Sequence, residues 1–273
     1  MSGRTLDDGL RAIGLVLIGL VILFLLIPIA VTAVMAFDAR PYLGPLPPPA
    51  LSLRWFARFF SDDYFLNGLL TSVELACLSV AVSLGAGVAT AFALDRARFA
   101  GKEAAVTLFL SPLIVPPVVT GFALLLFLAE LGLLNGFARL LCGHIIITIP
   151  YTIRATLAGL AGIDRSLTEA ALTLGATERH AFWDVTFPLA RTGIVSGAIF
   201  AFAVSMDDVS VSIMLTDAHT YTLPIALVSS MRANFDLSIA AASVMLMLLT
   251  LALIVILERS VGLNRAIGQG VFR

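Results

Sequence analysis

Charge is scarce in this chain. Of its 273 residues only 13% are Asp, Glu, Lys or Arg, whereas 59% are hydrophobic, and the mean hydropathy is +1.01. A soluble domain carries roughly twice that share of charge to build its polar shell, so the solvent for most of this chain is lipid. Cysteine is almost absent as well. Cys77 and Cys142 each lie inside an apolar run, in neither metal-ligand nor disulfide spacing, which argues against redox chemistry. A formal net charge of −1 leaves no basic stripe able to displace counterions from phosphates, so nucleic acid is not a partner. No Gly-x-x-x-x-Gly-Lys-Ser/Thr phosphate loop occurs; Gly101-Lys102 is followed by Glu103 and lacks the earlier glycine.

What is present is a series of long apolar runs. The first, 12–36, follows Arg4 and Arg11 and so has the outline of a signal peptide, but about 25 residues suits a full, retained span better. Five more follow at roughly 68–94, 104–128, 137–160, 189–214 and 237–257. At about 1.5 Å per residue each can cross a hydrocarbon core of about 30 Å. The pattern predicts an all-α, polytopic membrane helix bundle of about six transmembrane helices, forming one domain over 1–273. An even number of spans puts both termini on one side. Twelve lysines and arginines, among them Arg98, Arg165, Arg179, Arg265 and Arg273, fall on that side against five opposite, which predicts cytoplasmic termini.

The loop at about 38–67 then lies outside, and Pro41, Pro45, Pro47, Pro48 and Pro49 keep its first half from continuing a helix. Within it Trp55, Phe56, Phe59 and Phe60 recur at helical spacing while Arg54 and Arg58 take another face. That pattern predicts a short helix at the headgroup level, serving as an interface anchor or a binding element. In the third run, Ser111-Pro112 and Pro116-Pro117 free carbonyls that hydrocarbon cannot satisfy. Such a span belongs inside the bundle or beside a wet cavity, with either a fixed kink or a moving hinge.

The segment at about 164–188, between the fourth and fifth spans, is too polar to cross the bilayer. Ser166 and Glu169 stand in capping-box spacing, so a helix can begin at Leu167, and Gly175 suits a left-handed C-terminal cap. Thr177 offers a second helix start and Pro188 sets the beginning of the fifth span. The result is a compact helix–turn–helix on the cytoplasmic face, either a bare surface elbow or a docking element.

Glu169-Ala170-Ala171, three residues, Gly175, nine residues and then Val185-Thr186-Phe187-Pro188 resembles the EAA loop of binding-protein-dependent ABC importer permeases, whose pattern ends in Ile-x-Leu-Pro. Val185 and Phe187 are conservative departures. The resemblance implies that this loop sits in a groove of a separate ATP-binding subunit, with Glu169, Ala170, Ala171, Gly175 and Pro188 as coupling positions. Glu169 can also cap its own helix; the two roles are compatible. No cofactor is then expected in this chain, since ATP and Mg belong to the partner ATPase.

Asp207-Asp208 in the fifth run stands out, because charged groups inside a membrane are costly and face cavities. Read as one helix, Ser205, Asp208, Ser212 and Thr216 share a polar stripe, whereas Asp207 has mainly apolar neighbours. This reading puts Asp208 on a solute path with Asp207, Ser205, Ser212 and, more weakly, Glu74; alternatively the acidic pair holds helices together through Ser and Thr. His144 reads as a satisfied buried histidine. The segment 205–212 closely resembles the permeases of the spermidine/putrescine type, with further agreement in the run Arg96 to Lys102, at Ser111-Pro112, and at His144 before Pro150. That likeness implies a type I importer in the bacterial inner membrane, with two ATPase subunits, a second homologous permease and a periplasmic or lipid-anchored binding protein. Polyamines fit the acidic pair, while relatives also carry opine-like, amino-acid-like and anionic solutes. An intramembrane hydrolase would need carboxylates converging from different helices, and a secondary transporter or channel would need no coupling loop.

Overall fold

The computed structural model describes residues 3–97, 99–233 and 236–261. Arg98, Arg265 and Arg273, which entered the charge asymmetry, lie outside the described residues. Regular structure there is entirely helical, apart from one isolated bridge between Asp38 and Leu51. The chain forms two compact units, one of Met1–Asp63 with Ser229–Met247, the other of Tyr64–Val228 with Leu248–Arg273.

In the first unit, α1 (Gly3–Ala36) exposes apolar side chains from Ile13 to Val34, with Leu15 and Phe24 at 70% and 75% exposure. A helix apolar on every side is stable only with lipid around it. Its last residues, Met35 and Ala36, join Trp55 of α2 (Arg54–Phe60) and Leu237, Ala241 and Val244 in a buried cluster. The Trp55 indole N–H donates to the Asp38 carbonyl at 2.8 Å, and the Asp38 carboxylate grips the Arg40 guanidinium through Nε at 2.9 and 3.0 Å. That side-chain hydrogen bond from Arg40 holds the Asp38 carboxyl below its ordinary pKa. Of the four aromatic residues expected at the headgroup level, Phe60 is 54% exposed and two are buried. Trp55 and Phe59 are 2% and 0% exposed, because their aromatic area gains more from a protein core than from the interface.

The second unit carries α3 (Asp63–Arg96, from Tyr64 on), α4 (Lys102–Leu110), α5 (Pro117–Glu130), α6 (Gly136–Ala161), α7 (Arg165–Thr173), α8 (Glu178–His180), α9 (Phe187–Asp207) and α10 (Ser212–Leu215). Helices α11 (Leu223–Ala233) and α12 (Ser238–Val261) complete the described chain. Five helices are long and apolar enough to cross a membrane, and α4 with α5 makes a sixth if the bent pair counts as one span. That bend is 96°, a full break where the sequence predicts a kink. After a 3-10 turn at Ser111–Leu113, Pro116 is extended (φ −54°, ψ 128°) and Pro117 starts α5. A residue before proline is driven out of the α region, so two adjacent prolines end one helix and begin another.

Whether the bent pair crosses or re-enters decides the topology. With Cys77→Ser and Cys142→Ser as background, Leu134→Cys is expected to react with a membrane-impermeant thiol reagent in intact cells, and Ala100→Cys only after permeabilisation. Reaction of both from one side would make the pair a re-entrant loop and the chain a five-span protein.

The central crossing is α6 on α9, and it is made by missing side chains. A Cβ on Gly193 would lie 2.6 Å from the Ala155 carbonyl oxygen and 2.9 Å from Gly159 Cα, and one on Gly197 would lie 3.0 Å from Thr152 Cα. Gly193 and Gly197 are four residues apart, the small-x-x-x-small spacing that lets membrane helices meet backbone to backbone.

Candidate functional site

The elbow at 164–188 forms as the helix–turn–helix the sequence predicts, with one change at its start. The cap of α7 is Asp164, whose carboxylate accepts from the Ser166 N–H at 2.9 Å, so the helix begins at Arg165 and the Ser166–Glu169 box is not used. A carboxylate is a stronger acceptor than a hydroxyl at a helix N-terminus, and the backbone N–H it binds holds Asp164 below its ordinary pKa. At the other end Gly175 has φ +93°, and Gly175 and Ala176 N–H groups donate to the Leu172 and Ala171 carbonyls, both at 3.0 Å. These are the two bonds of a Schellman turn. Thr177 then caps α8, accepting from the His180 N–H at 3.3 Å.

Pro188 shapes the turn between α8 and α9. It has no N–H for the Asp184 carbonyl, and the chain answers with a π-helical stretch, Ala181–Thr186, in which the Phe187 N–H reaches back five residues to Phe182. This wider turn runs without a break into α9. Thr168 of α7 meets Thr186 at 3.2 Å between hydroxyls, so the elbow is tied to the foot of the fifth span. The Arg96 guanidinium lies 5.1 Å above the Phe182 ring, adding a tie to the end of α3. Glu169 and Ala170 are exposed and Ala171 is half-buried. Glu169 opens on a cavity of about 610 Å³ that also takes in Asp95, Arg96, Arg165, Thr168 and Glu178. The tip is Leu174, 89% exposed just before Gly175, a feature the sequence reading missed although an apolar residue at a polar turn is its signal.

The fifth span is shorter than expected. It ends at Asp207, and Asp208 is extended (φ −67°, ψ 125°), so the stripe Ser205–Asp208–Ser212–Thr216 does not lie on one helix. Asp208 itself explains the break. One carboxylate oxygen, Oδ2, accepts from the Val211 N–H at 3.1 Å, the Ser212 N–H at 2.8 Å and the Ser212 hydroxyl at 2.9 Å, capping α10. Asx residues compete with the helix in this way. Ser205 and Ser212 are 2% and 0% exposed, so neither is on an open surface. Asp208 is half-buried, Asp207 is exposed, and Glu74 is exposed on α3. His144 is the satisfied buried histidine the sequence suggests: it is 0% exposed and bonded to both serines.

The two interrupted spans meet. Gly121 of α5 sits where a Cβ would be 3.0 Å from Val211 Cα, and Val211 and Leu215 are buried with Leu75, Leu140 and Ile147. Non-helical backbone at membrane depth survives only where protein buries it or where it lines a wet cavity.

A polytopic helix bundle with an elbow built into the foot of a broken span has the architecture of a membrane transport permease. Among the described residues no group of three His, Cys, Asp or Glu could hold a metal ion. Residues 83–263 match the family described as the inner membrane component of binding-protein-dependent transport systems, and the chain belongs to that family. It is thus a transmembrane permease subunit of an ABC importer for a small solute. The chain is similar to the spermidine/putrescine transport system permease protein PotC of Haemophilus influenzae, 30% identical over 86% of this chain and 91% of that one. It is also 30% identical, over 85% of this chain and 84% of that one, to a probable molybdenum ABC transporter permease protein of Haloferax volcanii. A chain of a bacterial alginate ABC transporter solved with its periplasmic protein superposes with TM-score 0.73 over 93% of this chain and 94% of that one; at 16% identity this shows the fold.

Proposed function

We propose that this permease carries a small organic cation of the polyamine class inward across a bacterial inner membrane, with both termini cytoplasmic. The observation that carries the reading is the break at Asp207-Asp208, where α9 stops inside an apolar bundle and leaves Asp207 exposed and Asp208 half-buried. Interrupted helices near the middle of the bilayer are where transporters build solute sites. Two adjacent carboxylates there, with Glu74 on α3, suit a solute carrying separated positive charges. Ser205 and Ser212 support that path from behind. The similarity to the Haemophilus permease favours the same class. A second reading, a small oxyanion, is supported by the similarity to the Haloferax permease, at the same 30% identity.

In this reading two ATP-binding subunits, which hold ATP and Mg, dock on Glu169, Ala170, Ala171, Gly175 and Leu174, and Pro188 passes their motion to α9 through the π-helical stretch. A second homologous permease completes the path, and a periplasmic or lipid-anchored binding protein delivers the solute. Both compact units act as one permease domain.

The test is the complex assembled with its own partners in proteoliposomes. Loaded binding protein is expected to stimulate ATP hydrolysis and uptake of labelled spermidine or putrescine, with molybdate inert. The reverse pattern would overturn the polyamine reading. In the same vesicles Gly175→Val is expected to leave assembly intact and to cut uptake about tenfold. Its Cβ meets nothing within 4 Å, so the substitution strains only the left-handed turn, by about 1–2 kcal/mol, and unseats the Schellman cap. Normal uptake by this variant would remove the loop from the coupling mechanism.

A further inference from the structure

The break in the fifth span has a keeper on another helix. Ser205 is the last buried hydroxyl before the break and Ser212 the first after it, and the His144 ring from α6 lies between them, with Nδ1 2.8 Å from Ser205 Oγ and Nε2 3.0 Å from Ser212 Oγ. Donor counting assigns the direction of each bond. The Ser212 hydroxyl gives its hydrogen to Asp208, so toward His144 it can only accept. Nε2 therefore carries the proton, and in the neutral ring Nδ1 accepts from the Ser205 hydroxyl. Ser79 of α3, 3.3 Å from Ser205 Oγ, can donate to Ser205 or to the Ala76 carbonyl at 3.2 Å, so the chain ends in a satisfied group. One tautomer thus joins α6, α9 and α10 by an unbroken series of bonds from the Ser205 hydroxyl to the Asp208 carboxylate, and α3 joins it when Ser79 donates to Ser205.

From this geometry we infer that His144 is a positioning residue, a clasp that holds both sides of the broken span and fixes where its acidic pair points. The inference rests on the proposed path through the break. His144 does not touch the solute; it acts through Ser205, Ser212 and Asp208. The helix has ended at Asp207, so residues 208–211 are held by the Asp208 cap, by the Val209 carbonyl accepting from the Ile213 N–H and by the buried Val211, and His144 adds the one side chain that bonds to the buried serines on both sides of them. Without the ring, both hydroxyls and the Asp208 cap would be free to choose other partners, and the unwound segment would open. Buried networks of this kind specify one arrangement when fully satisfied and lose it when one member is removed.

A merely space-filling histidine and a clasp differ in what replaces them. A leucine fills the volume without bonds, whereas a glutamine offers one donor and one acceptor on a side chain of similar length. The experiment uses the complete complex with Cys77→Ser, Cys142→Ser and Val209→Cys, and reads the rate of modification by a membrane-impermeant thiol reagent beside spermidine uptake. His144→Leu is expected to raise the modification rate about fivefold or more and to lower uptake about tenfold, while His144→Gln stays within about threefold of the parent in both. Wild-type behaviour of His144→Leu, or equal damage by Gln and Leu, would overturn the clasp. Should His144→Leu fail to assemble, Ser205→Ala and Ser212→Ala each remove one side of the clasp with little change in volume. Each is expected to raise the modification rate, and wild-type rates in both would overturn the proposal equally. Thiol modification does not depend on which solute is carried. A clasp effect on labelling in a complex that ignores polyamines would therefore sink the solute assignment and leave the clasp standing.

Discussion

Gly193→Val is expected to reduce the folded permease recovered from membranes about tenfold or more at equal synthesis. The added Cβ would meet the Ala155 carbonyl oxygen at 2.6 Å and the Gly159 backbone at 2.9 Å. These are backbone atoms of a helix and cannot swing aside, so α6 and α9 must separate along the crossing. Overpacking a tight core costs about 1–3 kcal/mol and sometimes more, and about 1.4 kcal/mol already corresponds to a factor of ten. Gly19→Val is the matched control. Its Cβ meets nothing within 4 Å, and valine is a better helix former than glycine, so recovery should equal that of the parent. The readout is the monodisperse peak of detergent-extracted complex and its melting temperature. Equal recovery for the two variants would show that the α6–α9 crossing tolerates an opening its geometry forbids.

The second large effect concerns the acidic pair. Asp207→Asn is expected to lower polyamine uptake about ten- to a hundredfold while assembly and basal ATP hydrolysis persist. At about 4 Å and an effective dielectric near 20, a carboxylate attracts a unit positive charge by about 4 kcal/mol before desolvation is subtracted, and only part of that survives as a rate difference. Asp207 is the exposed member, and its carboxylate makes no hydrogen bond to another described residue, so neutralising it removes charge and little else. Asp208 combines charge with a cap. Asp208→Asn keeps one acceptor for the Val211 and Ser212 N–H groups and should lose uptake with a modest loss of assembled complex. Asp208→Ala leaves those donors and the Ser212 hydroxyl without an acceptor, at about 1–3 kcal/mol for each buried group, and should lose assembly too. Uptake is measured per assembled complex for all three variants. Unchanged polyamine uptake in Asp207→Asn would take away the main physical support for a cationic solute.

The order of effects expected for the pair differs from the order read off the sequence, and the reason is local. A helical projection assumes that the helix continues, and on that assumption Asp208 shares a face with Ser205 and Ser212. The carboxylate instead captured two backbone N–H groups and a hydroxyl and ended the helix at Asp207, which changed the facing of every residue beyond it. A similar local competition moved the start of α7 from Leu167 to Arg165, where Asp164 rather than Ser166 caps the first turn.

Composition and run length alone determined that the chain lives in a membrane, that it is all-helical, and about how many times it can cross. Those properties follow from one-dimensional quantities, the share of charge and the length of apolar segments measured against the bilayer. The elbow at 164–188 was legible too, because caps, a left-handed glycine and a helix-starting proline act within a few residues of themselves. Only tertiary structure decided the rest. Trp55 and Phe59 could face headgroups or protein until Met35, Ala36 and Leu237 closed over Trp55. His144 is 61 and 68 positions from the serines it joins, and Ser79 is 126 from Ser205. Their meeting depends on Gly193 and Gly197 letting α6 reach α9. Contacts of that kind depend on how two helices cross, and a crossing has no signature in either helix taken alone beyond the small residues that permit it.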